Sequence, residues 1–208
     1  MGAPSFHARA TTTIHLMLTA RNLSKRFGEK RVFQRVSVSL ERGRFLLVTG
    51  PNGSGKTTLL RVLAGLAAPT SGELERPPRE QVGYLGHEPL VYRELTPLEN
   101  LELFGRLYRV PERRERTGML LERFGLWDVR HERVSTFSRG MQQRLGLCRV
   151  LLHEPSLLVL DEPFNALDAA GAVLLDETLT ELSDRALVVA THDPARFERR
   201  AAQRLAFA

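Results

Sequence analysis

The sequence predicts an α/β fold: a mostly parallel sheet covered by helices, with a helical lobe inserted between two of its strands. Three observations predict it. Phe45-Leu-Leu-Val-Thr49 and Leu157-Leu-Val-Leu160 are short, continuous apolar runs of the kind buried on both faces. Segments of helical composition alternate with such runs, as parallel strands joined by crossover helices require. The stretch between Leu85 and Leu157 is helical in character and lacks any buried-strand run. With 208 residues, 42% of them hydrophobic, the chain can close one core but not two full domains.

Met17 stands just before the first strand-like run. Residues 1–16 read as an N-terminal extension and make a poor secretion signal, because the apolar part, Ile14 to Leu18, is interrupted by His15. Val36, Val38 and Leu40 alternate with Ser37 and Ser39, the period of a strand with one face buried. After Gly43 comes the Phe45 run, then the glycine-rich stretch Gly50 to Gly55, then helical composition over Lys56 to Ala68, closed by Pro69 and Gly72. Val82 to Leu85 reads as a short strand. Thr96-Pro-Leu-Glu99 supplies an N-cap, a proline at the first helical position and a capping-box glutamate. The helices are expected to run from there to Leu107 and from Pro111 to Phe124, with Gly125 as the stop. From Ser138 onward, Met141, Leu145, Cys148 and Leu152 fall on one helix face. A strand Leu157 to Leu160, a helix Asp168 to Leu182 and a strand Ala186 to Thr191 complete the alternation.

Composition excludes several roles. No apolar run approaches the roughly 20 residues that span a bilayer, so the chain reads as soluble, with any membrane role exercised through partners. Cys148 is the single cysteine, which rules out an internal disulfide and suits a reducing compartment. The net charge of +6 comes almost wholly from arginine, since Lys25, Lys30 and Lys56 are the only lysines. Such a balance could serve nucleic acid or an anionic membrane surface. The arginines, however, are interleaved with glutamates, as in Pro111-Glu-Arg-Arg-Glu-Arg116, which reads as a solvated helix face.

Gly50-Pro51-Asn52-Gly53-Ser54-Gly55-Lys56-Thr57-Thr58 contains the pattern G-x-x-x-x-G-K-[ST] between a buried strand and a helix. Glycines let backbone N–H groups approach phosphate oxygens, and the helix N-terminus adds its positive dipole end. This is the phosphate loop of a P-loop NTPase. Lys56 would reach the β- and γ-phosphates of ATP, and Thr57 would ligate Mg2+. The Leu157 strand ends in Asp161 and Glu162, at the sheet edge where α/β folds place ligands. Asp161 would hold Mg2+, and Glu162 could polarise the attacking water as general base.

From Leu18 onward the chain resembles the ABC ATPase family. Phe137-Ser-Arg-Gly-Met-Gln-Gln-Arg144 is similar to the family's signature, usually LSGGQ: Ser138 and Gly140 match, while Phe137, Arg139 and Met141 depart. Asn165-Ala-Leu-Asp168 is similar to the D-loop, His192 matches the switch histidine, and Phe27 stands where the family places an aromatic ring against adenine. Tyr84-Leu-Gly-His87 replaces the usual Y-L-P-Q, so His87 takes the place of the glutamine that senses Mg2+ and the attacking water. A histidine can bond through one nitrogen, but it can also carry a positive charge near neutrality and so repel Mg2+.

The resemblance implies a RecA-like parallel core sheet with an antiparallel β subdomain, the core comprising residues 17–87 and 155–208 and the inserted helical subdomain residues 88–154. It implies catalytic roles for Lys56, Glu162 and His192. Nucleotide contacts would come from Phe27, Gly50 to Thr58, His87, Ser138, Gly140 and Asp168, and Mg2+ contacts from Thr57, Asp161 and His87. It also implies a head-to-tail dimer of two copies around two ATP molecules, driving integral membrane subunits from the cytoplasmic side of the cell membrane.

Tyr84 to Leu101, with its Y-L-G-H and E-L-T-P-L-E-N-L elements, looks like the ATP-binding subunits of cytochrome c maturation haem exporters. Another exporter's cargo, or a soluble ABC ATPase acting on nucleic acid or ribosomes, are the alternatives. No direct contact with nucleic acid is expected. Direct haem binding is not expected either, because none of the six histidines falls in a CxxCH-like or paired-ligand pattern.

Overall fold

The computed structural model describes residues 16–197 and 201–207. In chain order the elements are β1 (Leu16–Phe27), β2 (Lys30–Glu41), β3 (Phe45–Thr49), α1 (Lys56–Leu63), β4 (Ser71–Glu75), β5 (Val82–Leu85), α2 (Pro97–Leu107), α3 (Arg113–Arg123), α4 (Arg139–Leu151), β6 (Leu157–Asp161), α5 (Ala169–Glu181), β7 (Ala186–Ala190) and β8 (Gln203–Ala206). Five parallel strands form the central sheet in the order β5-β6-β7-β3-β8. A second, antiparallel sheet runs β2-β1-β4. The extension expected over residues 1–16 lies outside the described residues except for Leu16, which already pairs with Glu41 at the start of β1.

The strands of the central sheet are apolar throughout because both faces are covered. Phe45 and Leu47 of β3 join Leu158, Leu160, Leu187 and Val189 on the face packed by α4 and α5. Leu46 and Val48 join Leu157, Val159, Val188 and Ala190 on the face packed by α1 and the antiparallel sheet. Side chains alternate between two cores at the two-residue period of a strand, and each fully buried aliphatic chain contributes roughly 1.5–3 kcal/mol. β2 shows the one-sided version expected of it: Leu40 is buried, Val36 and Val38 half-buried, Ser37 and Ser39 exposed.

Three helices, α2 to α4, lie between β5 and β6. Thr96 caps α2 as read, its Oγ1 accepting from Glu99 N while Glu99 Oε2 accepts from Thr96 N, with Pro97 at the first helical position. Two helix limits differ from expectation. α1 stops at Leu63 rather than Ala68, because Gly65 at φ 73° lets its own N–H reach Val62 O and that of Leu66 reach Arg61 O. α3 starts at Arg113 rather than Pro111, because Glu112 takes a left-handed conformation with φ 50°. Its end is as predicted: Gly125, φ 64°, bonds Glu122 O, and Leu126 bonds Leu121 O. Cys148 is a core residue, wholly buried, and burial pushes its thiol well above the ordinary range.

One buried side chain ties the loop before α2 to the helix. Asn100 is fully buried; its Oδ1 accepts from Tyr92 N at 2.8 Å and its Nδ2 donates to Tyr92 O and Thr96 O at 2.9 Å. Asn100→Ala strands Tyr92 N and removes one of the two donors to each of Tyr92 O and Thr96 O, and should cost about 2–3 kcal/mol. Urea unfolding monitored by circular dichroism is expected to show a lower midpoint with an unchanged slope.

Candidate active site

The site forms where β3 and β6 end. Beyond Thr49 the chain enters Gly50 to Gly55 through backbone conformations that need glycine: φ is 147° at Gly50, 80° at Gly53 and 107° at Gly55. A Cβ on Gly50 would lie 2.7 Å from Phe207 O, and one on Gly55 2.8 Å from Val32 Cγ1, whereas one on Gly53 would meet nothing within 4 Å. Gly50 and Gly55 are thus pressed against the protein, and Gly53 faces open space. Lys56 is buried, and its ammonium donates to Gly50 O at 2.7 Å and Pro51 O at 3.0 Å. Among the described residues no carboxylate forms an ion pair with it. Ser54 Oγ is buried without a hydrogen-bond partner. A buried cation held by carbonyl oxygens rather than by an ion pair, at an open helix N-terminus, makes a seat for a polyanion.

Across the sheet, Thr57 Oγ1 donates to Asp161 Oδ2 at 2.6 Å. Asp161 is 2% exposed, and burial holds its carboxyl above the usual carboxylate range, with the neighbouring Glu162 adding to the rise and Thr57 opposing it. Glu162 leaves the strand with φ 50°. Its Oε2 accepts from His192 Nδ1 at 2.9 Å and from Thr191 Oγ1 at 3.2 Å. A carboxylate can only accept, so His192 carries its proton on Nδ1 in this pairing. Asp193 N donates to Thr191 Oγ1 at 3.0 Å, fixing that hydroxyl in turn.

These groups line one cavity of about 530 Å3. Asn52, Gly53, Gly55, Lys56, Thr57, Thr58, His87, Asp161, Glu162 and His192 contribute to it, and so does Asn165. Its other end is formed by Phe27 and Val32 of the antiparallel sheet, with Lys30 and Arg31 beside them. Phe27 is 57% exposed, with Lys25 Nζ 4.8 Å from its ring centroid. Gly50, Pro51 and Ser54 build the loop from behind. The residues fit Mg2+: a hydroxyl and a desolvated carboxylate adjoin, and among the described residues there is no cluster of three or more His, Cys, Asp or Glu to enclose a metal. Mg2+ is commonly held by one or two protein oxygens and completed by phosphates and water. When bound, it would neutralise phosphate charge as a Lewis acid.

Ser138, Gly140 and Asp168 are not in this cavity. Ser138 Oγ accepts from Met141 N at 3.2 Å and caps α4, and Asp168 Oδ1 accepts from Gly171 N at 2.8 Å and caps α5. Gly140 backs onto the loop before α5, where a Cβ would lie 2.7 Å from Ala166 O. Thr191, and the cavity-lining Lys30, Arg31 and Val32, were missed by sequence reading. Thr191 was taken only as a strand end, although a hydroxyl one residue before His192 is a signal. Val32 had none, because its place depends on the fold-back of β2.

A family model described as ABC transporter matches residues 33–165. The chain belongs to the ABC transporter family. It is 40% identical over 177 residues to a cytochrome c biogenesis ATP-binding export protein of Cereibacter sphaeroides, covering 84% of this chain and 82% of that protein. It is 38% identical over 184 residues to an uncharacterised ABC transporter ATP-binding protein of Bacillus subtilis, covering 85% and 62%. The chain spans about three-fifths of the length of the first curated relatives it matches. Among solved structures, a dimeric post-hydrolysis ATP-binding cassette bound to ADP and Pi superposes with a TM-score of 0.83 at 27% identity, over 92% of this chain and 94% of that one. ABC cassettes bind ATP with Mg2+.

The raised pKa of Asp161 has a stability consequence. The folded chain holds this proton more tightly than the unfolded chain, so below the ordinary carboxylate range burial carries no penalty. Above it the bare carboxylate opposes folding. Asp161→Asn should therefore unfold at an equal or higher temperature without nucleotide at neutral pH. MgATP at about a hundred times its Kd should raise the unfolding temperature of the unaltered chain by about 5–10 °C and that of the variant far less. Scanning calorimetry measures both.

Proposed function

We propose that the chain is the ATP-hydrolysing subunit of an ABC transporter, dimerising around two ATP molecules to power membrane subunits. The observation that carries hydrolysis is Glu162. It lies at the carboxyl end of β6 beside Asp161, is oriented by His192 Nδ1 and Thr191 Oγ1, and borders the same cavity as Lys56. A carboxylate so held can accept a proton from water attacking the γ-phosphate, while Lys56 and the loop N–H groups stabilise the charge that develops. Within one copy Ser138, Gly140 and Asp168 do not line that cavity. A second copy, head to tail, would present them to it, so that each ATP lies between one phosphate loop and the other copy's α4 N-terminus. ATP contacts made only in the closed pair shift the equilibrium toward closure by their differential affinity.

We assign residues 17–87 and 155–208 to the core and 88–154 to the helical lobe that transmits the motion. A groove of about 450 Å3, whose lining includes Leu66, Leu90, Tyr92, Phe104 and Tyr108, separates the two and suits an apolar segment of a membrane subunit. Among the described residues no helix is long and apolar enough to cross a membrane. The chain would act peripherally, on the cytoplasmic face.

Haem export in cytochrome c biogenesis is the transport role we favour. The support is the Tyr84 to Leu101 patch together with the Cereibacter relative. The nearly equal identity to the Bacillus transporter protein favours a second reading, the same engine serving another cargo.

Glu162→Gln is expected to lower ATP turnover at least about a hundredfold while leaving an ATP-dependent dimer visible by size-exclusion chromatography with light scattering. Undiminished turnover refutes the assigned base. Affinity capture of the chain from native membranes should bring down multi-spanning subunits of haem delivery; capture of a different permease moves the assignment to the second reading.

A further inference from the structure

Arg149 is a buried cation, 7% exposed, that forms no ion pair among the described residues. Its Nη2 donates to Tyr84 O at 2.8 Å and its Nε to Pro89 O at 3.2 Å, and its guanidinium stands 5.3 Å from the centroid of the Phe104 ring. Tyr84 and Pro89 flank Gly86-His87-Glu88. One fork therefore clamps both ends of the loop that carries His87 into the active-site cavity. One step earlier on the same i, i+3 ridge of α4, a Cβ on Gly146 would lie 2.5 Å from Pro89 Cβ, so helix and loop are in direct contact. One step earlier again, Gln143 Nε2 donates to Pro163 O at 3.1 Å, beside Glu162.

Burying an arginine without a carboxylate is costly, and an apolar chain of similar length would fill the space more cheaply. What only arginine supplies is a rigid planar fork that spans two carbonyls at once. We propose that Arg149 is a positioning residue for hydrolysis: by tying Tyr84 and Pro89 to α4 it holds His87 at the phosphate end of the site. The proposal rests on the ATPase reading above. It assigns Arg149 an effect on the chemical step through His87, and none on nucleotide affinity.

The test is a double-mutant cycle of Arg149→Met and His87→Ala in the full chain. Arg149→Met is expected to lower ATP turnover roughly ten- to a hundredfold, with KM for ATP moving less than about twofold. In the His87→Ala background the same change should alter turnover by less than about twofold, because the group it positions is gone. Arg149→Lys, which keeps the cation but lacks the fork, should recover part of the loss. Hydrogen exchange gives a readout independent of turnover: in Arg149→Met, amides of Gly86 to Glu88 should exchange faster while those of Gly53 to Thr57 do not. Equal losses in both backgrounds, a KM rise as large as the turnover loss, or unchanged exchange at Gly86 to Glu88 would overturn the proposal. If Arg149→Met fails to fold, Arg149→Lys carries both measurements with the same criteria. No ATP turnover in the unaltered chain, together with faster exchange at Gly86 to Glu88 in Arg149→Met, would fail the ATPase reading while leaving the tether in place.

Discussion

A hydroxyl and a carboxylate 104 residues apart in the chain meet at 2.6 Å, and the site is organised around that meeting. Thr57 stands in the first turn of α1, directly after the phosphate loop, and Asp161 ends β6. The two strands that deliver them are separated in the sheet by β7 alone. At about 4.8 Å between neighbouring strands, that spacing leaves roughly 10 Å to be closed by one loop and two side chains. Parallel pairing is what makes it possible, because all three strands then release their chains at the same sheet edge. β7 completes the geometry by placing Thr191 and His192 between the phosphate loop and Glu162. An antiparallel neighbour would have sent one of these groups to the far end of the sheet.

Much of this arrangement was legible because its chemistry is local. Gly50 to Thr58 declares itself by spacing, since glycines, lysine and hydroxyl must follow one another at fixed offsets for a backbone to wrap phosphate. Asp161 and Glu162 were legible because a both-faces-buried strand can end only at a sheet edge. Thr96, Pro97 and Glu99 announced the start of α2 by side-chain bonding confined to four residues. Gly125 was read correctly as a stop, yet Gly65, which ends α1 by the same pair of backbone bonds, was passed over. The apolar run Leu66-Ala67-Ala68 behind it imitates a continuing helix. There local hydrophobicity outweighed the one residue that could adopt φ 73°.

What was not legible depends on the chain returning to itself. Val32 and Lys30 reach the cavity because β2 folds back on β1 at Gly28, and no spacing in the sequence places them beside Gly55. β8 closes the sheet beyond β3 with the short, half-polar Gln203–Ala206, and its neighbour Phe207 is what forbids a side chain at Gly50. Ser138 and Asp168 illustrate a different limit. Each is fully explained by local capping within one copy, so neither the sequence pattern nor the single chain distinguishes a cap from half of a shared site. Gly140, close against Ala166 O, brings the two caps onto one surface.

Among the described residues, three buried charges distinguish this chain from an ordinary stable fold: Lys56, Asp161 and Arg149. Arg149 is settled by two carbonyls and a ring, so its burial is a permanent feature of α4 and of the loop it grips. Lys56 and Asp161 are settled less completely. Lys56 is held by carbonyl oxygens alone, and Asp161 by one hydroxyl while burial pushes its proton affinity up. Both are charges that a protein selected only for stability would pair or discard. Their signs match the two halves of a magnesium nucleotide, an anion for Lys56 and a cation for Asp161. Burial of the two charges thus carries a desolvation cost that a ligand of the matching signs removes, and this relief adds to the contact energy of the ligand. Lys56 and Asp161 line the same cavity, where each feels the other's charge, so relieving both calls for a ligand that presents both signs. That requirement favours the metal–nucleotide complex over either component alone, and it follows from the sheet order that brought Thr57 and Asp161 together.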